Sequence, residues 1–367
     1  MKRTIVALAV AGAFLAPAAA KADGSGIVLT GLIHGDIGFG KNKAADGTKL
    51  YKTQPNIGTF ATRWEIDGTE DLGWSQAIFG LAMDQKFAGG NCKGGIACNN
   101  NNIGDLNNRN SFLGLTGGWG TLKIGQNEHL YEIQQIVQDP DPASESQYGL
   151  LTLMTEWGGP HNGFTRRDGQ SVWYASPSLG GAVIEAAYIT PSGTSAAGTQ
   201  SKTGNFSPYG IQLGVSWKAA FGLSLYGAYA QYNDEDLTKS KDKAFRLGVG
   251  YGMELFQVDV FGEQLKYTND VGTNDKRTNI GVSGALNFGQ HHIRGAFSVA
   301  GKLKQNGNSL ADSSARLYYI GYGYTLSKRT ELQAIYGRLD NKDAANFGGL
   351  GNGVDSDRIG VGIRHTF

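Results

Sequence analysis

The chain closes on Asp355-Ser356-Asp357-Arg358-Ile359-Gly360-Val361-Gly362-Ile363-Arg364-His365-Thr366-Phe367. Residues two apart in a strand share a face. Ile359, Val361, Ile363, His365 and Phe367 therefore lie on one side, and Arg358, Gly360, Gly362, Arg364 and Thr366 on the other. A half-buried soluble sheet alternates in the same way. How many such segments exist, and how they are spaced, decides what this one belongs to.

The period recurs along the whole chain. Ile27, Leu29, Ile33, Ile37 and Phe39 oppose Thr30, His34 and Asp36. Trp64 and Ile66 oppose Arg63, Glu65 and Asp67, and Phe79, Leu81 and Met83 oppose Gly80 and Asp84. Further on, Phe245, Leu247 and Val249 oppose Arg246, Gly248 and Gly250, and Val258 and Val260 oppose Asp259 and Glu263. The pattern predicts sixteen strands. Short turns lie at 71–73, 117–120, 176–181, 219–222, 251–254, 289–290 and 327–330. Long polar connections lie near 41–57, 89–108, 127–165, 190–208, 233–242, 267–276, 304–315 and 341–354.

Short turns at one end and long loops at the other are the outline of an outer-membrane barrel. In hydrocarbon every backbone N–H and C=O needs a partner within the protein, so a sheet must close on itself. Its outer face then meets lipid and its inner face meets water. Sixteen strands leave an aqueous channel, whereas eight are filled by side chains. The expected fold is all-β: a transmembrane sixteen-stranded antiparallel barrel with short periplasmic turns and long extracellular loops. Tyr318, Tyr319, Tyr322 and Tyr324, near a strand end, are candidates for an aromatic girdle at the headgroup level.

Composition agrees. Glycine is abundant at 56 residues and proline scarce at 8, without a collagen period. The ample aromatic and β-branched residues argue against disorder. Residues 1–22 read as a signal peptide: Lys2 and Arg3, an apolar run to Ala20, and small residues at Ala20 and Ala22. Cleavage is expected after Ala22, with Ala20 as the alternative, leaving 23–367 as one barrel domain in the Gram-negative outer membrane. The chain carries 33 bases against 32 acids. The signal takes three bases and no acid, so the remainder has no electrostatic footprint for nucleic acid. Cys92 and Cys98 bracket a Gly-Gly turn, and in an exported chain that spacing reads as a local disulfide.

Several stretches resemble the general porin family of Gram-negative bacteria. They are Gly68-Thr69-Glu70-Asp71-Leu72-Gly73 after a strand, Phe112-Leu113-Gly114-Leu115-Thr116-Gly117-Gly118-Trp119-Gly120-Thr121, Tyr174 with Ser176-Pro177-Ser178 and Gly180-Gly181, Leu326-Ser327-Lys328-Arg329-Thr330, and Arg364-His365-Thr366-Phe367. Their order spans the chain. The resemblance implies a homotrimer whose third long loop, here 127–165, folds inward to narrow each pore. It implies passive diffusion of small hydrophilic solutes and ions, with outer-membrane lipid and lipopolysaccharide around the barrel. Phe367 becomes the signal read by the outer-membrane assembly machinery. The constriction acids become Asp139, Asp141, Glu145 and Glu156. Prolines at 140 and 142 stiffen that loop.

On the facing wall, Arg63 matches a family arginine. Gln126 and Trp173 stand where two others are usual, with Lys123, Arg166 and Arg167 as the nearby bases. The loss of wall charge favours a less anion-friendly pore, since lining charge sets selectivity. A second reading leaves the loop acids in solvent or in local pairs.

No cofactor, metal or enzymatic reaction is expected. Pairs such as Gly248 and Gly250 sit in strands, not in a strand-turn-helix nucleotide site. His129 and His161 share the long loop but lack further ligands. His291-His292 flank a short turn and read as solvated. The alternative function is a substrate-selective channel or a surface adhesin on the same barrel. The first would show a ladder of inward aromatics, for which Trp173, Tyr226, Phe261 and the loop residue Trp157 are the candidates. The second would show longer loops.

Overall fold

The structure is a computed structural model. It describes residues 25–50, 55–59, 62–85, 106–128, 130–131, 149, 152–159, 161–164, 167–190, 208–234 and 239–367. The expected signal 1–22 and the pair Cys92 and Cys98 lie outside these residues.

Among the described residues nineteen strands form one closed antiparallel sheet. They are β1 Gly26–Lys43, β2 Pro55–Gly58, β3 Arg63–Asp71, β4 Gln76–Gln85, β5 Leu106–Gly117, β6 Gly120–Glu128, β7 Arg167–Ala175, β8 Ala182–Ile189, β9 Tyr209–Lys218 and β10 Leu223–Asn233. They continue as β11 Ser240–Gly252, β12 Phe256–Asn269, β13 Asn274–Phe288, β14 His291–Ala300, β15 Lys304–Gln305, β16 Asn308–Ser309, β17 Ala315–Ser327, β18 Thr330–Asn341 and β19 Asp355–Thr366. Three are accessories. β2 pairs with β1 above β3, so the two share one stave. β15 and β16 form a small hairpin that extends β13. The barrel proper has sixteen staves, the number read from the sequence.

β19 pairs with β1 from Leu32↔Thr366 to Lys43↔Asp355, which closes the ring. Among the described residues no stave is left with a free edge, as hydrocarbon demands. Period two then decides the surface. Val260, Ile280, Val361 and their outward neighbours stay exposed, at 54%, 58% and 56%. A soluble monomer rarely exposes an apolar surface this continuous. Here it is the lipid face. The inward partners, such as Asp36, Arg246, Asp259 and Glu263, are buried and polar. Among the described residues no helix is long and apolar enough to cross a membrane; the strands cross instead.

The seven expected short turns are present. Three expectations change. The connection expected near 267–276 is a four-residue turn, because β12 and β13 continue to Asn269 and Asn274. Above the hydrocarbon their outward positions become polar, so alternation of polarity fades while strand pairing persists. Tyr319 faces inward and is buried, whereas Tyr318 packs outward against Tyr336; adjacent strand residues cannot share a girdle. His291 and His292 are hydrogen-bonded to Tyr322 and to Asn287 and Thr325. The His291 ring also stacks on Phe288 and tilts against Tyr324. His291 therefore belongs to the periplasmic girdle, and His292 to the inward face.

The seam depends on one glycine. Gly31 and Phe367 exchange two backbone hydrogen bonds of 3.1 Å. A Cβ on Gly31 would run into the Phe367 ring and the Arg63 carbonyl. Gly31→Val is therefore expected to part the last rung, at a cost of about 1–3 kcal/mol for two backbone bonds. The fraction of heat-modifiable folded barrel on gels should fall. A wild-type fraction would show that closure does not need this rung.

Candidate functional site

Loop residues enter the lumen and pack on the wall formed by β9–β14, β17 and β18. Tyr131, Leu153, Met154, Trp157 and Phe164 are fully buried there. Glu263, inward on β12, ties down two separate parts of the loop. Its carboxylate accepts hydrogen bonds from the Tyr131 hydroxyl at 3.0 Å and from the Thr155 N–H at 2.7 Å. It also accepts from Asn279 at 2.7 Å and pairs with Arg246 at 2.6 Å. Arg246 in turn donates to the Tyr131 carbonyl at 2.9 Å, with its guanidinium 4.3 Å from the centre of the Tyr131 ring. Further along, His161 pairs with Asp275 at 2.8 Å and stacks on Tyr267 at 3.8 Å. Gln212 accepts from the Leu130 N–H at 2.8 Å.

A second loop joins the first, which sequence reading did not anticipate. Within residues 342–354, Ala345, Phe347, Leu350 and Val354 are buried in one cluster with Leu153 and Met154. Asn346 N–H donates to the Gly158 carbonyl at 3.0 Å.

The opposite wall lies half a turn around the ring, on β3 to β6. Arg63 and Lys123 face the lumen there, but neither is a bare cation. Arg63 pairs with Glu65 at 2.5 Å. Lys123 is 5% exposed and sits under the rings of Phe112 and Trp173, at 4.2 and 4.8 Å. Arg167 pairs with Glu128 at 2.8 Å. Arg109, missed in the sequence, completes that group with Asp84 at 2.8 Å and Glu128 at 3.5 Å. Gln126, at a departure from the family arginines, donates to the Arg109 carbonyl at 2.5 Å. Trp173, at the other, is an inward lid on Lys123.

Of the expected loop acids, Glu156 is half-buried with its carboxylate against Gly163. Asp139, Asp141 and Glu145, like Arg166 on the wall side, lie outside the described residues. Arg358 and Arg364 face inward on β19, and Arg358 is buried against Gly38. Of the inward aromatic candidates, Tyr226 and Phe261 are buried in the wall. Among the described residues no three His, Cys, Asp or Glu gather as a metal site. Arg246 and Glu263 were legible as inward charges at mid-strand. Their loop partners were not.

A sealed sixteen-stave cylinder, apolar outside and charged inside, with chain folded into its lumen, is an outer-membrane diffusion channel. The chain belongs to the Gram-negative porin family, whose model matches residues 4–344. It is 26% identical to outer membrane porin protein 32 of Delftia acidovorans over the whole of both chains. It is 25% identical to the major outer membrane protein P.IB of Neisseria meningitidis serogroup B, again over both whole chains. Among solved structures it resembles an anion-selective porin from Comamonas acidovorans, with a TM-score of 0.73, 22% identity, and 94% and 100% of the two chains covered. The protein is an outer-membrane porin that forms a water-filled channel.

Proposed function

We propose that small hydrophilic solutes and ions pass through an eyelet between the inward loop and the wall of β3 to β6. The observation that carries this is the clamp: loop 3 is pinned to the far wall by Glu263, half a turn from Arg63 and Lys123. The channel works by passive diffusion with no chemical step. Three barrels assemble as a homotrimer, surrounded by outer-membrane lipid and lipopolysaccharide. Residues 1–22 direct export of the single domain 23–367, Cys92 and Cys98 staple their loop, and Phe367 addresses the chain to the assembly machinery.

The constriction acids are Asp139, Asp141, Glu145 and Glu156, faced by Arg63, Lys123, Arg166 and Arg167. Of these bases, Arg63 and Arg167 are ion-paired and Lys123 is capped by two rings. The wall's positive field is thereby blunted, while the loop keeps its acids. The expected pore prefers cations, unlike the relative described as anion-selective.

The test is planar-bilayer recording of purified protein under a salt gradient. Conductance steps in threes would support the trimer. The reversal potential should report cation preference, and Asp139→Asn with Asp141→Asn should move it toward anions. An unmoved potential would mean that these acids do not line the eyelet.

A further inference from the structure

The lumen wall of β3 to β8 pairs most of its charge within itself. Arg63 is answered by Glu65, and Arg109 and Arg167 by Asp84 and Glu128. Asp67 on β3, Lys123 on β6 and Glu185 on β8 stand outside these pairs. Period two puts them on the lumen face: Asp67 shares the parity of Arg63, Lys123 lies opposite Trp173, and Glu185 follows the outward Ile184. Neither Asp67 nor Glu185 forms an ion pair or a hydrogen bond among the described residues. Both are half-buried, with their oxygens open to the lumen.

Lys123 does not answer them. Its ammonium lies 4.2 Å from the centre of the Phe112 ring and 4.8 Å from that of Trp173, and the residue is buried. Register explains the placement. Phe112 lies over Gly80, where a Cβ would run into its ring, and Gly114 stands directly opposite Lys123. With no side chains at these two positions, the lysine can rest on the Phe112 ring, held by cation–π attraction. Trp173, directly opposite on β7, covers it from the other side. A cover does not abolish a charge's field; it sets how near a counter-ion can come. In water the Coulomb energy is small beyond contact distance, and salt screens what remains within about 8 Å. A passing anion therefore meets an indole, while a passing cation can touch two carboxylates. Asp67 and Glu185 each stand four residues from a periplasmic turn, whereas Glu263, which holds the loop, stands nine above its own. The two acids thus lie on the periplasmic side of the loop.

We infer that Asp67, Glu185 and Trp173 form a second selectivity element on the periplasmic side of the eyelet, one that favours small cationic solutes. The two carboxylates attract the cation. Trp173 determines specificity because it withholds the Lys123 ammonium from anions. Charged side chains that line a pore set what it passes, and here one side chain decides which of those charges a solute can touch. The inference rests on the channel reading and adds wall residues to the loop acids named there.

Reversal potentials in planar bilayers under a potassium chloride gradient test it. Asp67→Asn with Glu185→Gln should lower the potassium-to-chloride permeability ratio by about threefold or more, the order of one contact pair in water. The loss should shrink in concentrated salt. Trp173→Ala should move the ratio toward chloride, and adding Lys123→Met should remove that shift. An equal shift with and without Lys123 overturns the role of Trp173. A labelling measurement on the wild type needs no variant to fold. A sulfonated amine-acylating reagent should modify Lys328, exposed on a periplasmic turn, and leave Lys123 unmodified. Equal labelling of the two overturns the cover. If Asp139→Asn with Asp141→Asn moves the potential and Asp67→Asn with Glu185→Gln does not, the inference falls and the channel reading stands. A wild type without conductance overturns both.

Discussion

Glu263→Ala is expected to lower the unfolding temperature of the folded barrel and to release the inward loop into the lumen. The Glu263 carboxylate is fully buried and receives four donors: Arg246, Tyr131, Thr155 and Asn279. Removing one partner of a buried ion pair costs about 3–5 kcal/mol, because the other charge is left without compensation. Arg246 would be that charge, at 1% side-chain exposure. The loop loses its hold at two places at once, since Tyr131 and Thr155 lie in separate segments of it. The open-channel current should rise and become noisier, and the midpoint of heat-modifiable gel mobility should fall. Glu263→Gln keeps an oxygen for Thr155 and should fall between wild type and alanine. Tyr131→Phe deletes one hydrogen bond, about 1 kcal/mol, and should barely change the midpoint. If Glu263→Ala conducts and melts like wild type, the clamp does not hold the loop.

This clamp also shows where sequence reading stops. The barrel was legible because period two follows from physical necessity: one face meets lipid and the other water, at every stave. Even short segments such as Phe245 to Val249 declare their two faces. The loop contacts follow no period. Tyr131 and Glu263 are 132 positions apart, and Thr155 and Glu263 are 108 apart; nothing local links them. The same limit explains the 267–276 region. Lys276 and Thr278 point outward above the hydrocarbon, so no apolar partner marks them as strand. Arg63 and Lys123 on the β3-to-β6 wall were found by type, but their state was not. Whether Arg63 or Lys123 is a bare charge depends on Glu65 and on the Phe112 and Trp173 rings, which only the folded wall brings together.

The second large effect lies beside the Thr155 anchor, where a second loop meets the inward one. Phe347→Ala is expected to free residues 342–354 and to loosen the loop segment around Gly158. Phe347 is 1% exposed and shares its cluster with Leu153, Met154, Leu317 and Leu339. Its backbone is fixed by Asn341, which accepts from the Phe347 N–H at 3.1 Å and donates to the Phe347 and Val354 carbonyls at 3.2 and 2.8 Å. The Arg277 guanidinium lies 5.1 Å from the ring centre. Truncating a buried phenylalanine typically costs about 3–5 kcal/mol. Here much of that packing joins two loops to each other, so part of the cost should appear as a wider pore. Gly158→Val approaches the contact from the facing side. Gly158 has φ +56°, and a Cβ there would occupy the place of the Phe347 ring. Both variants should raise single-channel conductance in bilayers. Combined with Glu263→Ala, Phe347→Ala should add less than its separate effect, because both release the same loop and coupled sites are not additive. Full additivity would mean that 342–354 narrows the pore on its own. A wild-type conductance for Phe347→Ala would mean that it does not narrow the pore at all, and that the inward loop stays in place without it.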